Sequence, residues 1–343
     1  INGLNALVLQ RFVLAGEIYL KGLGMSDTPK ASNLTETWEL SKRQSIRIFF
    51  NYQSEHVRFV TLLFLSVVHQ ASHLQTATAQ VEKYWDRGAG NGSWNNVQNW
   101  ALNGDGTNNP NIKPNANDIA VFNASNVGSD QIINLNGEQA ILGIRIRSGF
   151  KVTIDGLPAE YLTIGGNGID IQPNTGNKVF GASIVLSSSQ LWSNGSTAGN
   201  FRLDGPILLQ GHTLTINGPG ETIINGTTFN GGSLIKDGEG TLRLQGATAY
   251  QNLFVTGGTV NLKPIAVSGA GNIHIGPGAL AQMEVTGQGV FNFGLSSQTI
   301  HLTGSAGDDS RSLFQLYNSN EPSSGTSITN WNGTINVSGQ GRV

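Results

Sequence analysis

Residues 231–262 read Gly-Gly-Ser-Leu-Ile-Lys-Asp-Gly-Glu-Gly-Thr-Leu-Arg-Leu-Gln-Gly-Ala-Thr-Ala-Tyr-Gln-Asn-Leu-Phe-Val-Thr-Gly-Gly-Thr-Val-Asn-Leu. Short runs that alternate polar and apolar side chains, such as Thr241-Leu242-Arg243-Leu244, are separated by turns rich in glycine. A period of two sends alternate side chains to opposite faces of a strand, so Leu242 and Leu244 share one buried face. Asn, Asp and Gly tolerate positive φ, so the dipeptides between the runs read as turns.

The same texture extends in both directions. Expected strands include Ala140–Arg147, Lys151–Ile154, Tyr161–Ile164, Ser183–Leu186, Phe201–Leu203, Ile207–Leu209, Thr213–Ile216 and Thr222–Ile224. After the quoted stretch come Asn272–Ile275, Val290–Phe293 and Thr299–Leu302. Leu214, Ile216, Ile273 and Ile275 extend the buried face. Asn-Gly occurs at 136, 167, 194, 217, 225 and 332, and Asp-Gly at 155, 204 and 237. A sandwich, a closed barrel and a parallel β-solenoid all accommodate many short strands. The strands are short even for a sandwich, and their outward residues are Thr, Ser, Asn and Gln rather than charges, as in stacked polar ladders. A solenoid also grows to any length, because each coil packs only on its neighbours. The expected fold is therefore all-β, a right-handed parallel β-solenoid with an aromatic-rich N-terminal cap.

Composition agrees. Of 343 residues, 46 are glycine and none is cysteine, and charged residues make up 12%. Glycine is thus well above the usual share of about 7% and charge is about half of the usual 25%. Disulfides and cysteine-ligated metals are excluded. Residues 80–343 carry 13 Lys and Arg against 17 Asp and Glu. Such a balance leaves no basic footprint for nucleic acid and no polybasic membrane patch.

The first eighty residues differ in kind. A weakly basic stretch from Arg47 to Arg58 precedes the apolar run Phe59–Val68, then a polar segment ending Ala77-Thr78-Ala79. That order matches a secretory signal peptide, and the apolar run is too short to span a bilayer, which takes about 20 residues. The expected division is 1–55 as a leader or misplaced start, 56–79 as signal peptide with cleavage between Ala79 and Gln80, 80–125 as the cap, and 126–343 as the solenoid. Because the chain opens on Ile1 and closes on Gly339-Gln340-Gly341-Arg342-Val343 within the array, both ends are expected to be cut.

The quoted stretch resembles the autotransporter-associated β-strand repeat, also called the passenger-associated transport repeat. The residues that carry the resemblance are Gly232, Leu234, Lys236, Gly238, Gly240, Thr241, Leu242, Leu244, Tyr250, Gly257, Gly258 and Thr259. Val260 stands in the family's last leucine position, and Gln251-Asn252 replaces the usual Thr-Gly after the tyrosine. The resemblance implies an exported passenger, cell-surface or released, with a structural or adhesive role. It also implies an outer-membrane translocator, for which this chain shows no closing run of amphipathic barrel strands. Possible partners are extracellular polysaccharide or cell surfaces.

Tyr84-Trp85-Asp86, Asn91-Gly92-Ser93-Trp94 and Asn99-Trp100 precede Pro114–Phe122. Three tryptophans so close together suit a cap over an open solenoid end, with Phe122 seating the first coil. Trp85, Trp94 and Trp100 are also candidates for glycan contact through exposed rings.

The rival class is a β-helix polysaccharide lyase or glycoside hydrolase. Glycoside hydrolysis takes two carboxylates roughly 5–10 Å apart. The acids beyond 150 are scattered, several lie in Asp-Gly turns, and the one adjacent pair, Asp308-Asp309, reads as a solvated loop. Gly165–Asp170 begins like a calcium-binding nonapeptide, but Gln172 breaks the frame and the copy is single, so a plain turn is expected. His212, His274 and His301 each sit in or beside a different strand, their spacing does not fix a common face, and they are expected as outward-facing polar residues. No catalytic, metal or cofactor residue is assigned.

Overall fold

The computed structural model describes residues 80–229, 231–263, 271–285, 289–293, 297–303, 313–318 and 327–338. The leader, the apolar run, Ala79 and the Asp308-Asp309 loop lie outside those residues. Within them the chain is a parallel β-solenoid. The one helical element among the described residues is the 3-10 turn Val97–Asn99.

Two long sheets run the length of the stack. One is built, coil by coil, from Val81–Trp85, Asp118–Phe122, Gln139–Ile146, Tyr161–Ile171, Gln190–Asn194, Thr213–Asn217, Ser233–Lys236, Asn252–Val255, Asn272–Ile275, Thr299–Thr303 and Thr334–Ser338. The other begins at Gln131–Asn134 and passes through Thr222–Ile224, Thr241–Leu244 and Thr259–Leu262 to Leu313–Asn318. In the middle coils, Ser183–Leu186, Ile207–Leu208 and Thr228–Phe229 pair on a third, shorter side. Neighbouring strands in all three are parallel, with one antiparallel exception at the cap.

Register explains the alternation in sequence. Leu214, Leu234, Leu253, Ile273 and Ile300 stack in one column, each buried against the next. In the second sheet Ile224, Leu244 and Leu262 form a matching column. Each leucine or isoleucine so buried contributes about 1.5–3 kcal/mol. The outward residues between them are polar and half-buried, since each covers its neighbour one rung away.

Most predicted strands are present within a residue or two. The short runs Asp118–Phe122, Gln131–Asn134, Lys178–Phe180 and Gln190–Asn194 are strands that alternation alone did not mark. The cap boundary also shifts: Val81–Trp85 and Asp118–Phe122 are already coils of the stack, and only the loop between them is cap. Gly165–Asp170 is corrected from a turn to part of the strand Tyr161–Ile171. The strand is bulged there: Ile141 pairs with Ile164 and Gly143 with Gly168, so Leu142 alone faces three residues. Gly168 has φ +58°, and a Cβ on it would run into the carbonyl of Leu191.

The turn glycines answer to a constraint beyond φ. Gly205, Gly226 and Gly246 occupy one corner of consecutive coils, and none has positive φ. A methyl on each would overlap a carbonyl oxygen of the coil before it: Ala182 for Gly205, Gly205 for Gly226, Gly226 for Gly246. The corner backbones stack too closely for any side chain. Gly226→Ala is therefore expected to cost about 1–3 kcal/mol through forced separation of two coils. Gly128→Ala, at a site with nothing within 4 Å and no positive φ, is expected to be neutral or slightly stabilising. Thermal denaturation of the two variants compares them directly; equal shifts would remove the packing explanation.

Candidate functional site

At the N-terminal end one loop closes both sheets. Trp100-Ala101 pairs antiparallel with Val81–Trp85 and so blocks the first edge. Gly92 and Trp94 exchange backbone hydrogen bonds with Asn134 at 2.7 and 2.8 Å and block the second. Between them Trp94 and Trp100 meet edge to face at 4.8 Å, Trp100 meets Trp85 at 5.2 Å, and both Trp94 and Trp100 lie against Phe122. The rings of Trp85, Trp94 and Trp100 are 1%, 0% and 0% exposed. They are the lid of the hydrophobic core, as the cap reading expects, and the alternative of glycan contact through them is corrected: no ring face is left for a sugar. Lys83 and Asp118 form a buried ion pair at 3.2 Å under the same loop. Gln80, the residue expected to follow a cleavage site, is exposed and exchanges side-chain hydrogen bonds with Asn167.

The repeat-motif residues occupy two consecutive coils. Ser233–Lys236 stacks on Asn252–Val255, and Thr241–Leu244 on Thr259–Leu262. Leu234, Leu242, Leu244, Val260 and Tyr250 point inward, and Thr241 and Thr259 form an outward pair. Gly232, Gly238 and Gly258 take positive φ at the corners, while Gly240 and Gly257 lie against backbone of the preceding coil. Burial raises the Tyr250 hydroxyl well above the ordinary phenol range.

Lys236 belongs to an inward column between Ile216 and Val255 and is 1% exposed. Its ammonium donates to the carbonyls of Asp237 and Gly238 at 2.6 and 2.7 Å, and of Gly257 at 3.4 Å. It thus joins the corners of two coils from inside. Burial pushes its pKa down to about 8, with Asp237 acting the other way. Lys178, also inward and fully buried, stands between Val152 and Phe201 in the second sheet. Its Nζ has no hydrogen-bond partner, and burial alone pushes its pKa to about 8.

Outward clusters among the described residues include three that join residues distant in sequence. In the first coils Arg145 bonds Glu82 and reaches Asp170 at 3.7 Å, while Arg147 lies 3.9 Å from Glu82. The Tyr84 hydroxyl donates to Glu82, and that bond raises its pKa. Asp170 and Glu82, distant in sequence, are thus brought to one face. Farther along, Arg243 pairs with Glu221 from the coil before it at 2.6 Å and with Glu284 two coils on at 3.2 Å. All these groups except Glu284 are about one-third exposed, so each pair contributes less than about 1 kcal/mol.

The third cluster joins residues whose sequence spacing did not fix a common face. His274 is in register with His301 on the next coil, and their rings stack at 4.6 Å with 4° between planes. Phe254, on the coil before, stacks on His274 at 4.7 Å and 16°. Two of the three histidines among the described residues therefore share a face, while His212 lies in the turn before Thr213 and bonds Leu209 through its backbone. The repeated Asn-Ile-His-Ile and Thr-Ile-His-Leu was the signal that could have paired them. A shared metal would have to lie in both ring planes, which parallel stacked rings do not permit.

Among the described residues, no three His, Asp or Glu side chains converge as metal ligands, and no helix is long and apolar enough to cross a membrane. Comparison of the chain with known family models, curated proteins and solved structures finds no match.

Proposed function

We propose that this chain is an exported β-solenoid passenger with a structural or adhesive role at a cell surface or outside the cell. The observation that carries the reading is the outward surface. Ser233, Asn252, Asn272, Thr299 and Thr334 form one column, and Asn261, Gln282 and Gln315 form another. Gln282 donates to Gln315 at 3.1 Å, as stacked amides do. Such columns repeat a hydrogen-bonding group at each rung, about every 4.8 Å. A repeating polysaccharide is the partner class that meets a repeating polar surface with many weak contacts. The resemblance of residues 232–262 to the transport repeat supports export, with the translocator supplied by another segment.

Binding to a panel of immobilised polysaccharides and to whole cells tests the adhesive reading. Retention that scales with polymer length and not with monosaccharide concentration is expected; no retention on any surface would leave only a scaffold role. The enzyme reading keeps one observation in its favour, the carboxylates Glu82 and Asp170 flanking Arg145 on one face. Against it, that guanidinium already holds both carboxylates. Release of reducing or unsaturated sugars by the chain, abolished in Asp170→Asn, would overturn the non-catalytic reading.

A further inference from the structure

We propose that the Phe254–His274–His301 stack is an acid-sensitive fastening that holds the C-terminal coils together at neutral pH and loosens them when both imidazoles are protonated. The stack links three consecutive strands, Asn252–Val255, Asn272–Ile275 and Thr299–Thr303, from outside, opposite the inward column Leu253, Ile273 and Ile300. Its members sit in register, so the face of one ring is covered by the next.

Neutral rings in this arrangement gain dispersion and lose nothing to charge. One proton is tolerated: an imidazolium at His274 rests on the face of Phe254, which attracts a cation. A second proton places like charges on rings 4.6 Å apart. Like charges at that range disfavour the doubly charged form. His301 has no such aromatic face on its far side, where Asn336 follows it on Thr334–Ser338.

Among the described residues, none on the strands beside the rings carries a counter-charge. The described outward residues beside the rings are Asn252, Asn272 and Thr299 on one side and Thr256 and Thr303 on the other. Ile235 precedes Phe254 in the column, and Asn336 follows His301. On the coil before Phe254, Lys236 turns inward and Asp237 directs its carboxylate to Asn217 and Thr256. Consistent with this, burial and then the His301 charge lower the pKa of His274.

The sign follows. A group whose folded pKa is depressed contributes its stabilisation above its unfolded pKa and loses it as pH falls through the folded value. The fastening is therefore complete above the ordinary imidazole range, about 6.5, and fails on acidification below it. Failure is local, because each coil of a solenoid depends on its immediate neighbours.

Amide exchange of the full chain, corrected for intrinsic pH dependence, tests this at about pH 7.5 and about pH 5. The strands Asn272–Ile275 and Thr299–Thr303 are expected to lose protection at least about fivefold on acidification, while Thr213–Asn217 changes little. His301→Asn extends the polar column of Asn336 and is expected to abolish that acid effect, while giving up part of the protection of Thr299–Thr303 that the stack supplies near neutrality. Equal acid opening in His301→Asn and the parent chain, or none in the parent, would overturn the proposal. Should the variant fold poorly, proton NMR titration of the parent chain decides, read at the assigned His274 and His301 ring signals: two separated steps support the stack, and coincident steps at the ordinary value refute it.

Discussion

Trp100→Ala is expected to destabilise the N-terminal coils by about 3–5 kcal/mol, the range for removing a fully buried large aromatic side chain. Trp100 contacts Trp85, Trp94 and Phe122, and its indole N–H donates to the Trp94 carbonyl at 2.9 Å. Its backbone is also the strand that closes the first sheet edge. Truncation therefore opens a cavity, orphans a buried carbonyl and weakens the lid over both sheets. Exchange protection is expected to fall over Val81–Trp85 and Asp118–Phe122 and to persist over Thr241–Leu244 and Thr259–Leu262. A solenoid couples nearest neighbours, so damage at one end fades along the stack. Uniform loss of protection along the chain would show instead that the stack unfolds as a single unit. A second consequence of an uncovered parallel edge is self-association, measurable as concentration-dependent sedimentation.

Lys178→Met is expected to change stability in the opposite direction, by about 2–3 kcal/mol in favour of the fold near neutral pH. The ammonium of Lys178 is buried between Val152 and Phe201 with no acceptor. Its depression to about 8, from about 10.4 for a free lysine, corresponds to about 3 kcal/mol between the protonation states. The core favours the neutral amine. Stability from that preference is complete above the free-lysine pKa and is lost as pH falls to about 8; below that value no more is lost. Methionine fills the same volume without the charge, and replacing buried charge by a well-packed apolar group is commonly stabilising. The variant should also lose part of the gain in stability that the parent chain shows on going from about pH 8 to about pH 10. Part remains, because Lys236 is depressed over the same window.

Lys236→Met is the matched control and should destabilise by about 2–4 kcal/mol. Its ammonium satisfies carbonyls of Asp237, Gly238 and Gly257, and those part-buried acceptors would lose this donor. Urea denaturation of both variants at neutral pH reads the two signs. Equal loss in both would mean that Lys178 gains a partner, such as a buried water, that offsets its charge.

Much of the architecture was legible because a solenoid is written in short-range terms. The alternation in Thr213–Ile216, Thr241–Leu244 and Asn272–Ile275 names the inward residues, and the structure buries each of them. The tryptophan cluster announced a cap by its density alone. Lys178–Phe180 was not legible, although the equally short Phe201–Leu203 was, since a lysine at an inward position reads as outward. The ring stack and the Glu82–Arg145–Asp170 face were missed for another reason. Both depend on which residues fall in register one coil apart, and coil lengths vary with the turns: Ile273 lies over Leu253, but Ile300 over Ile273 after a longer excursion.

Alternating side chains and turn dipeptides by themselves determined that this protein is a stack of short strands with a leucine- and isoleucine-lined interior and a polar exterior. Both follow from the two-residue period of a strand and from the backbone freedom of glycine, which are local. Only the tertiary structure decided which outward residues become neighbours, why corner glycines such as Gly226 admit no side chain, and which buried lysine finds acceptors. Those outcomes depend on vertical register between coils, a distance of one rung in space and some twenty or more residues along the chain, and no local rule sets it.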